Sequence, residues 1–282
     1  MMEFLSEYFL QRGIRLFAPI PLSACRVTKS YLLERAEIVP TEGTAVMLAI
    51  PYFTEAAASP ERNLSAYAVP RDYHLFFRDL FDDLLPRLRA EFPEDRFAGF
   101  ADHSPIDERD AAARAGLGII GQNGMLITEP YSSYVFLGEL ITTQNIPCQP
   151  QNIRVCEGCG ICQRACPMTE IGNCLSALTQ KKGELTEQEA AAIRRYGSVW
   201  GCDICGEVCP HTRRALESGT VYSEIPFFEQ ETITRLTLAK LDGMSDETFA
   251  TRAFAWRGRK TIRRNLCLFD IDAGEKREEP EC

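Results

Sequence analysis

The unbroken apolar run from Thr44 to Ile50 predicts a strand buried on both faces. A second strand is expected from Phe97 to Ala101. Between them Leu75, Phe76, Leu80, Leu84 and Leu88 recur at three- and four-residue steps, the stripe of an amphipathic helix, with Asp72 placed to cap it and Pro86 to kink or shorten it. Ser104, Pro105 and Asp107 read as an N-cap, a proline at the first helical position and an acid near the positive helix end; that helix closes near Gly116. Further strands are expected at Met125–Thr128 and Tyr134–Thr142, so strand and helix alternate over residues 40–145 as in an α/β domain. Thr186 and Glu189 form a capping-box pattern that opens a helix through Ile193 and stops at Gly197.

Composition changes the picture after Pro147, where cysteines concentrate, and again after Pro210, where the chain turns helical and basic. The expected division is 1–147 for an α/β domain, 148–212 for a cysteine domain, 213–269 for a helical segment with a basic patch, and 270–282 for a charged, disordered tail. The 282 residues, 45% hydrophobic and 25% charged, suit a folded chain of about two domains. A net charge of −9 argues against attraction to polyanions except through a local patch. Glu3 and Glu7 interrupt the opening segment, which does not read as a signal peptide, and no long apolar run predicts a membrane span. Twelve cysteines without an export signal point to metal ligands in a reducing cytoplasm.

The cysteines carry the strongest chemical signal. Cys156, Cys159, Cys162 and Cys166, followed by Pro167, match the C-x2-C-x2-C-x3-C-P run in which the fourth thiolate serves a second iron–sulfur cluster. Cys202, Cys205, Cys209 and Pro210 supply the other half, with Cys174 as the remaining ligand. By that crossing rule Cys156, Cys159, Cys162 and Cys209 hold one 4Fe–4S cluster, and Cys166, Cys174, Cys202 and Cys205 hold the other. Structural zinc would call for two separated C-x2-C pairs instead. Two adjacent clusters form an electron path, which needs a terminus elsewhere in the chain.

Outside the cysteines, Asp102 stands just before the expected Ser104 cap, so its carboxylate is available for chemistry or for a turn. Arg252, Arg257, Arg259, Lys260, Arg263 and Arg264 cluster around Trp256, which suits phosphate contact with base stacking or, equally, a solvated basic face. Asp72–Tyr73–His74 lacks the glycine of a corrinoid-binding D-x-H-x-x-G motif, Phe77 standing in its place.

Read outward from the cysteines, the chain resembles the epoxyqueuosine reductase family, cobalamin-dependent iron–sulfur enzymes related to reductive dehalogenases. Ser65–Ala66–Tyr67 with Arg71–Asp72–Tyr73–His74, Asp102–His103–Ser104–Pro105 with Glu108–Arg109, Ala115 through Gly121 and Asn123, Phe136–Leu137–Gly138–Glu139, Cys174 through Thr179 and Trp200 through Pro210 match that family's blocks in order. The resemblance implies an α+β / α/β protein: a nitroreductase-like cobalamin-binding domain, then a ferredoxin-like double 4Fe–4S domain and a short helical C-terminal segment. It implies Asp102 as the acid beside the cobalt, its pKa raised by burial against the corrin, with Tyr67, Leu137 and Ser176 as corrin contacts and Arg109 toward the substrate. It further implies action on a tRNA anticodon loop, for which Arg259 and Arg263 of the basic cluster are the expected RNA contacts, and an external electron donor such as flavodoxin or ferredoxin is expected to serve a monomer. Gln122 stands where the family has lysine, and no R-x-D-P stretch precedes Thr44, which leaves open a paralogue acting on a small molecule. A plain iron–sulfur electron carrier is the third alternative.

Overall fold

The computed structural model describes residues 1–168 and 174–270; the expected charged tail beyond Asp270 lies outside the described residues. The chain forms two compact units, and neither follows the linear division expected from composition. The first comprises Met1–Tyr52, Tyr73–Gly160 and Pro210–Ile225; the second comprises Phe53–Asp72, Ile161–Cys209 and Pro226 onward. The exchanges have local causes. Leu64 bridges Trp200 and Arg71 bridges Arg252, which draws 53–72 into the second unit. Ser223 Oγ donates to the Pro51 carbonyl and Ser132 meets Thr212, which ties 210–225 to the first.

The first unit is built on strands β1 (Leu16–Pro21), β2 (Thr44–Pro51), β3 (Phe97–Phe100), β4 (Gly118–Ile120), β5 (Leu126–Thr128) and β6 (Val135–Thr142). Four of them form a sheet ordered β1-β2-β6-β3, antiparallel at every pairing, and β4 and β5 form a separate hairpin. Central β2 is buried at all eight positions, as its apolar run requires. Pro19 and Pro21 fall on edge strand β1, where a missing N–H breaks no interior ladder. The expected alternation of strands and helices is present, but the sheet is antiparallel throughout.

Helices α1 (Met2–Leu10), α2 (Ser30–Arg35), α3 (Tyr73–Glu91) and α4 (Glu108–Arg114) pack in this unit. α3 continues through Pro86 to Glu91 and is not shortened there. Its buried stripe is Phe77, Leu80, Phe81, Leu84 and Leu88, one step on from the expected Leu75 and Phe76. The cause is visible in two glycines: a Cβ at Gly138 would lie 2.4 Å from the Phe77 ring, and one at Gly99 would lie 2.3 Å from Phe81. Gly138→Ala is therefore expected to destabilise the fold by about 1–3 kcal/mol in chemical denaturation, because the helix must lift off the sheet. α4 starts at Glu108 with Asp107, not Ser104, as its N-cap; Asp107 Oδ1 accepts from the Asp110 N–H.

In the second unit the short helices Ile161–Ala165 and Ile204–Glu207 pack together and carry cysteines. The helix Glu187–Tyr196 has the expected capping box and ends at Gly197 with φ +66°. The C-terminal helix Arg259–Asp270 closes the unit: Ile262 and Leu266 join Trp200, Phe254 and Leu241 in its core, and buried Asn265 donates to the Thr179 and Val199 carbonyls. Among the described residues no helix is long and apolar enough to cross a membrane.

Candidate active site and cysteine centre

The loop between β3 and α4 holds Asp102 at φ +62°, a left-handed conformation that a β-carbon disfavours and that Asp and Asn tolerate better than most residues. Its side chain is 70% exposed, and its carboxylate lies 3.6 Å from His74 Nε2 at the first turn of α3. His74 holds the Asp102 carboxyl below its ordinary range, against the upward push of desolvation; Lys29 and His103 act in the same direction as His74. The raised pKa expected for Asp102 is therefore not found in this structure. His74 was missed by sequence reasoning because its role depends on the helix start facing a loop nearly thirty residues on; the R-D-Y-H block was the one available signal.

Behind Asp102 lie two carboxyls. The Asp102 N–H donates to Glu108 Oε1 at 3.0 Å. Glu139, on β6, is completely buried and bonded to Ser104 Oγ, which is why Ser104 does not cap α4. Burial raises the Glu108 pKa to about 7, and burial followed by repulsion from Glu108 raises Glu139 well above the carboxylate range. For both groups the folded state favours the neutral form. Their contribution to stability is complete below the ordinary value of 4.5 and is lost as pH rises through about 7 for Glu108. Thermal melts are expected to show stability falling from about pH 5 to about pH 8, by on the order of a few kcal/mol, and Glu139→Gln is expected to flatten that slope.

Arg109 and Leu137 line one recess of about 400 Å³ with Asn123, Met125, Ser133 and Val135. Arg109 Nη1 donates to the Gly124 carbonyl, and Ser133 Oγ is buried without a hydrogen-bond partner among the described residues. Met125, Leu126, Val135 and Leu137 give the recess an apolar wall, and Arg109, Asn123 and Ser133 stand beside it to meet polar groups of a bound ligand.

The first cysteine loop docks on the β4–β5 hairpin. The Ile120 N–H donates to Arg154 O and the Cys156 N–H to Ile120 O, extending β4 into the motif. Gln122, the residue that departs from the family's lysine, donates its backbone N–H to Cys156 Sγ at 3.3 Å and accepts from the Gly160 N–H at 3.2 Å. N–H groups aimed at ligating sulfur are a means of tuning cluster potential. His211 bonds Glu157 at 3.0 Å across the same loop.

In the second unit Cys202 and Cys205 share a neighbourhood with Cys162, Cys166 and Cys174. Burial pushes the Cys202 thiol up to about 12, and burial followed by the neighbouring Cys174, Cys166 and Cys162 raises Cys205. Among the described residues no three His, Cys, Asp or Glu side chains converge as one metal ion requires. The ligands of a cubane bind separate irons and so stand further apart. Neighbouring, partly buried thiols fit a metal cluster, which deprotonates its ligands where burial alone would keep them neutral. Cys209 is buried in the same unit, while Cys156 and Cys159 belong to the first.

Asp203, between Cys202 and Cys205, anchors the loop: Arg62 and Ser65 donate to it, and so does the Ala66 N–H at 2.7 Å. Tyr67 OH accepts from buried Trp200 Nε1 at 2.7 Å, and Ser176 accepts from Gln180 at 3.1 Å. Sequence reasoning had not singled out Asp203 or Arg62.

The basic segment is largely engaged internally. Arg252 is buried and donates to the Val69, Pro70 and Glu231 carbonyls. Arg259 serves the Leu241, Met244 and Ser245 carbonyls and pairs with Asp246, Arg263 pairs with Asp242, and Arg264 serves Lys181 and Gly183. Trp256 remains 59% exposed, with Arg257 stacked 3.9 Å from its ring centre, and Lys260 is exposed.

The family model described as "Epoxyqueuosine reductase QueG, DUF1730" matches residues 33–103. The epoxyqueuosine reductase of Gloeobacter violaceus is 32% identical over 239 residues, covering 81% of this chain and 73% of the relative. Those of Staphylococcus aureus and Bacillus subtilis are 29% and 31% identical, covering 82% and 86% of this chain but 64% and 65% of the relatives, so the chain spans just under two thirds of their length. A crystal structure of a selenomethionine-labelled epoxyqueuosine reductase superposes with a TM-score of 0.75 at 25% identity, covering 95% of this chain and 80% of that one. A structure of epoxyqueuosine reductase with an epoxyqueuosine-modified tRNA-Tyr stem loop matches with the same score, identity and coverage. The chain thus belongs to the epoxyqueuosine reductase family.

Proposed function

We propose that this chain reduces epoxyqueuosine to queuosine in the anticodon loop of tRNA. The observation that carries the reading is the superposition of 95% of the chain on a reductase crystallised with its epoxyqueuosine-modified stem loop. Cys156, Cys159, Cys162 and Cys209 would hold one 4Fe–4S cluster, and Cys166, Cys174, Cys202 and Cys205 the other. Tyr67, Leu137 and Ser176 would contact a cobalamin, with Asp102 beside it. When bound, these groups supply low-potential electrons and the reducing metal centre.

The protein's own residues do the rest. Asp102 delivers a proton to the departing epoxide oxygen, and His74 orients its carboxyl. Arg109 faces the substrate from the recess it shares with Leu137. Exposed Trp256, backed by Arg257, offers a surface on which a base can stack. An external flavodoxin or ferredoxin would feed the clusters.

A second reading, a corrinoid reductase for a small oxygenated molecule, is favoured by one observation: Arg259 and Arg263 are spent on internal acids and carbonyls in a chain of net charge −9. Complementation separates the two. In a strain lacking its own reductase, expression of this chain is expected to convert tRNA epoxyqueuosine to queuosine, read by mass spectrometry of digested tRNA. Persisting epoxide with the protein present and loaded would move the substrate to the second reading.

A further inference from the structure

Phosphates carry most of the affinity of a protein for RNA, so an RNA substrate needs cations that are free to meet them. The arginines expected for that task are committed within the fold: Arg252 is buried, and Arg259 and Arg263 pair with Asp246 and Asp242. The first unit carries another cation, Lys29, beside the Asp102 loop.

Residues 26–31 are stitched to that loop. Thr28 and Lys29 donate their backbone N–H groups to the Pro105 carbonyl at 2.8 and 3.1 Å, the Asp107 N–H donates to the Arg26 carbonyl at 2.9 Å, and Val27 bridges Ile106. Lys29 Nζ lies 3.4 Å from His103 Nδ1, and Tyr31 Oη lies 2.9 Å from His103 Nε2. An ammonium can only donate, so Nδ1 is the acceptor. The ring proton therefore sits on Nε2 and is donated to the Tyr31 oxygen. Tyr31 keeps its own O–H, and Lys29 keeps two N–H groups; among the described residues no side chain or carbonyl takes them. Lys29 is the N-cap residue of α2 but makes no side-chain bond there. The cluster thus presents donors only, one of them charged, and Tyr31 at 45% exposure and exposed His103 keep it open to a large ligand. Such a set suits an anionic oxygen and gives a cation nothing to bind. The acids near Lys29 leave it that charge: Asp102 pairs with His74, and burial holds Glu108 and Glu139 toward their neutral forms.

We propose that Lys29 and Tyr31, aligned by His103, bind a phosphodiester oxygen of the RNA next to the nucleotide that Asp102 serves; the inference rests on the reductase reading above. Lys29 supplies the point charge, Tyr31 a second and neutral donor, and His103 is the positioning residue between them. Backbone contacts fix register without reading sequence. Because His103 and Asp102 are consecutive residues of one loop, a grip on the backbone at this point sets the modified nucleotide against the acid.

The test uses the full chain, anaerobic and loaded with clusters and cobalamin, and a fluorescein-labelled anticodon stem loop carrying epoxyqueuosine, with binding read by anisotropy over a salt series. Lys29→Gln should weaken binding by about 3–10-fold and flatten the slope of log affinity against log salt by about 0.7, the share of one single-strand phosphate. Lys29→Arg keeps the charge and should restore both. Tyr31→Phe should weaken binding by about 2–5-fold and leave the slope as it is. One neutral methylphosphonate linkage in the loop should weaken wild-type binding as much as Lys29→Gln does, and should add nothing in that variant. Wild-type affinity and slope in Lys29→Gln would overturn the phosphate contact, while epoxide reduction by the wild type in the same preparation would keep the reductase reading standing. A Lys29 effect that no single linkage reproduces would also overturn it, because a diffuse field would then account for the loss. Lys29-dependent binding of that one linkage without reduction of the bound epoxide would uphold the contact and sink the reductase reading, and a wild type that binds no stem loop would sink both.

Discussion

Asp102→Asn is expected to slow single-turnover reduction of epoxyqueuosine-tRNA by about 10²–10⁴-fold while leaving iron content, corrinoid absorbance and tRNA affinity unchanged. The substitution is selective for physical reasons. Asparagine tolerates the left-handed backbone at φ +62° about as well as aspartate, so the loop need not move. The tie to Glu108 runs through the backbone N–H and survives. What disappears is a group that can take up a proton from one side and release it on the other. Stopped-flow reduction with pre-reduced enzyme isolates that step from electron entry. Wild-type rates in the variant would remove Asp102 from the chemistry and pass the role to His74 or to water.

The second large effect belongs to Cys205. Its half-buried thiol neighbours Cys162, Cys166 and Cys174, so Cys205→Ala should lower bound iron from about eight to about four per chain and abolish turnover. Stability should fall as well, because Cys166 and Cys202 pack against the core formed by Met168, Leu175, Leu178 and Ile193. Cys156→Ala, in the other unit, should remove the other four irons, and the double variant nearly all of them. Iron and sulfide assays with electron paramagnetic resonance of the reduced protein read these losses separately from activity. Unchanged iron in Cys205→Ala would contradict the assignment of that ligand set.

What was legible in the sequence was local. The capping box of Thr186 and Glu189 and the stop at Gly197 need only neighbouring residues, and the helix forms as expected. The apolar run of β2 and the periodicity of α3 declare burial directly, although α3 is rotated by its seat on Gly99 and Gly138, residues from other strands. β1 was not foreseen because Pro19 and Pro21 argue against a strand unless it lies at an edge, and edge position is a property of the whole sheet. Ser104 looked like a cap because its competing partner, Glu139, is 35 residues away.

The same reasoning separates the parts of the candidate site. Cysteine spacing is a local code, and it picked out thiols that the second unit draws together. The Asp102–His74 contact and the Glu108–Glu139 pair join elements distant in the chain, and no periodicity reports them. The basic segment read as outward-facing because the acids that pair with Arg259 and Arg263 precede them by 13 and 21 residues.

The most direct measurement is mass spectrometry of nucleosides from epoxyqueuosine-containing tRNA after anaerobic incubation with the purified, cluster- and cobalamin-loaded chain and a chemical reductant. Loss of a single oxygen from the modified base, with two electrons consumed per queuosine formed, is the expected result. Unaltered epoxide in the presence of fully loaded, reducible protein would contradict the proposed activity.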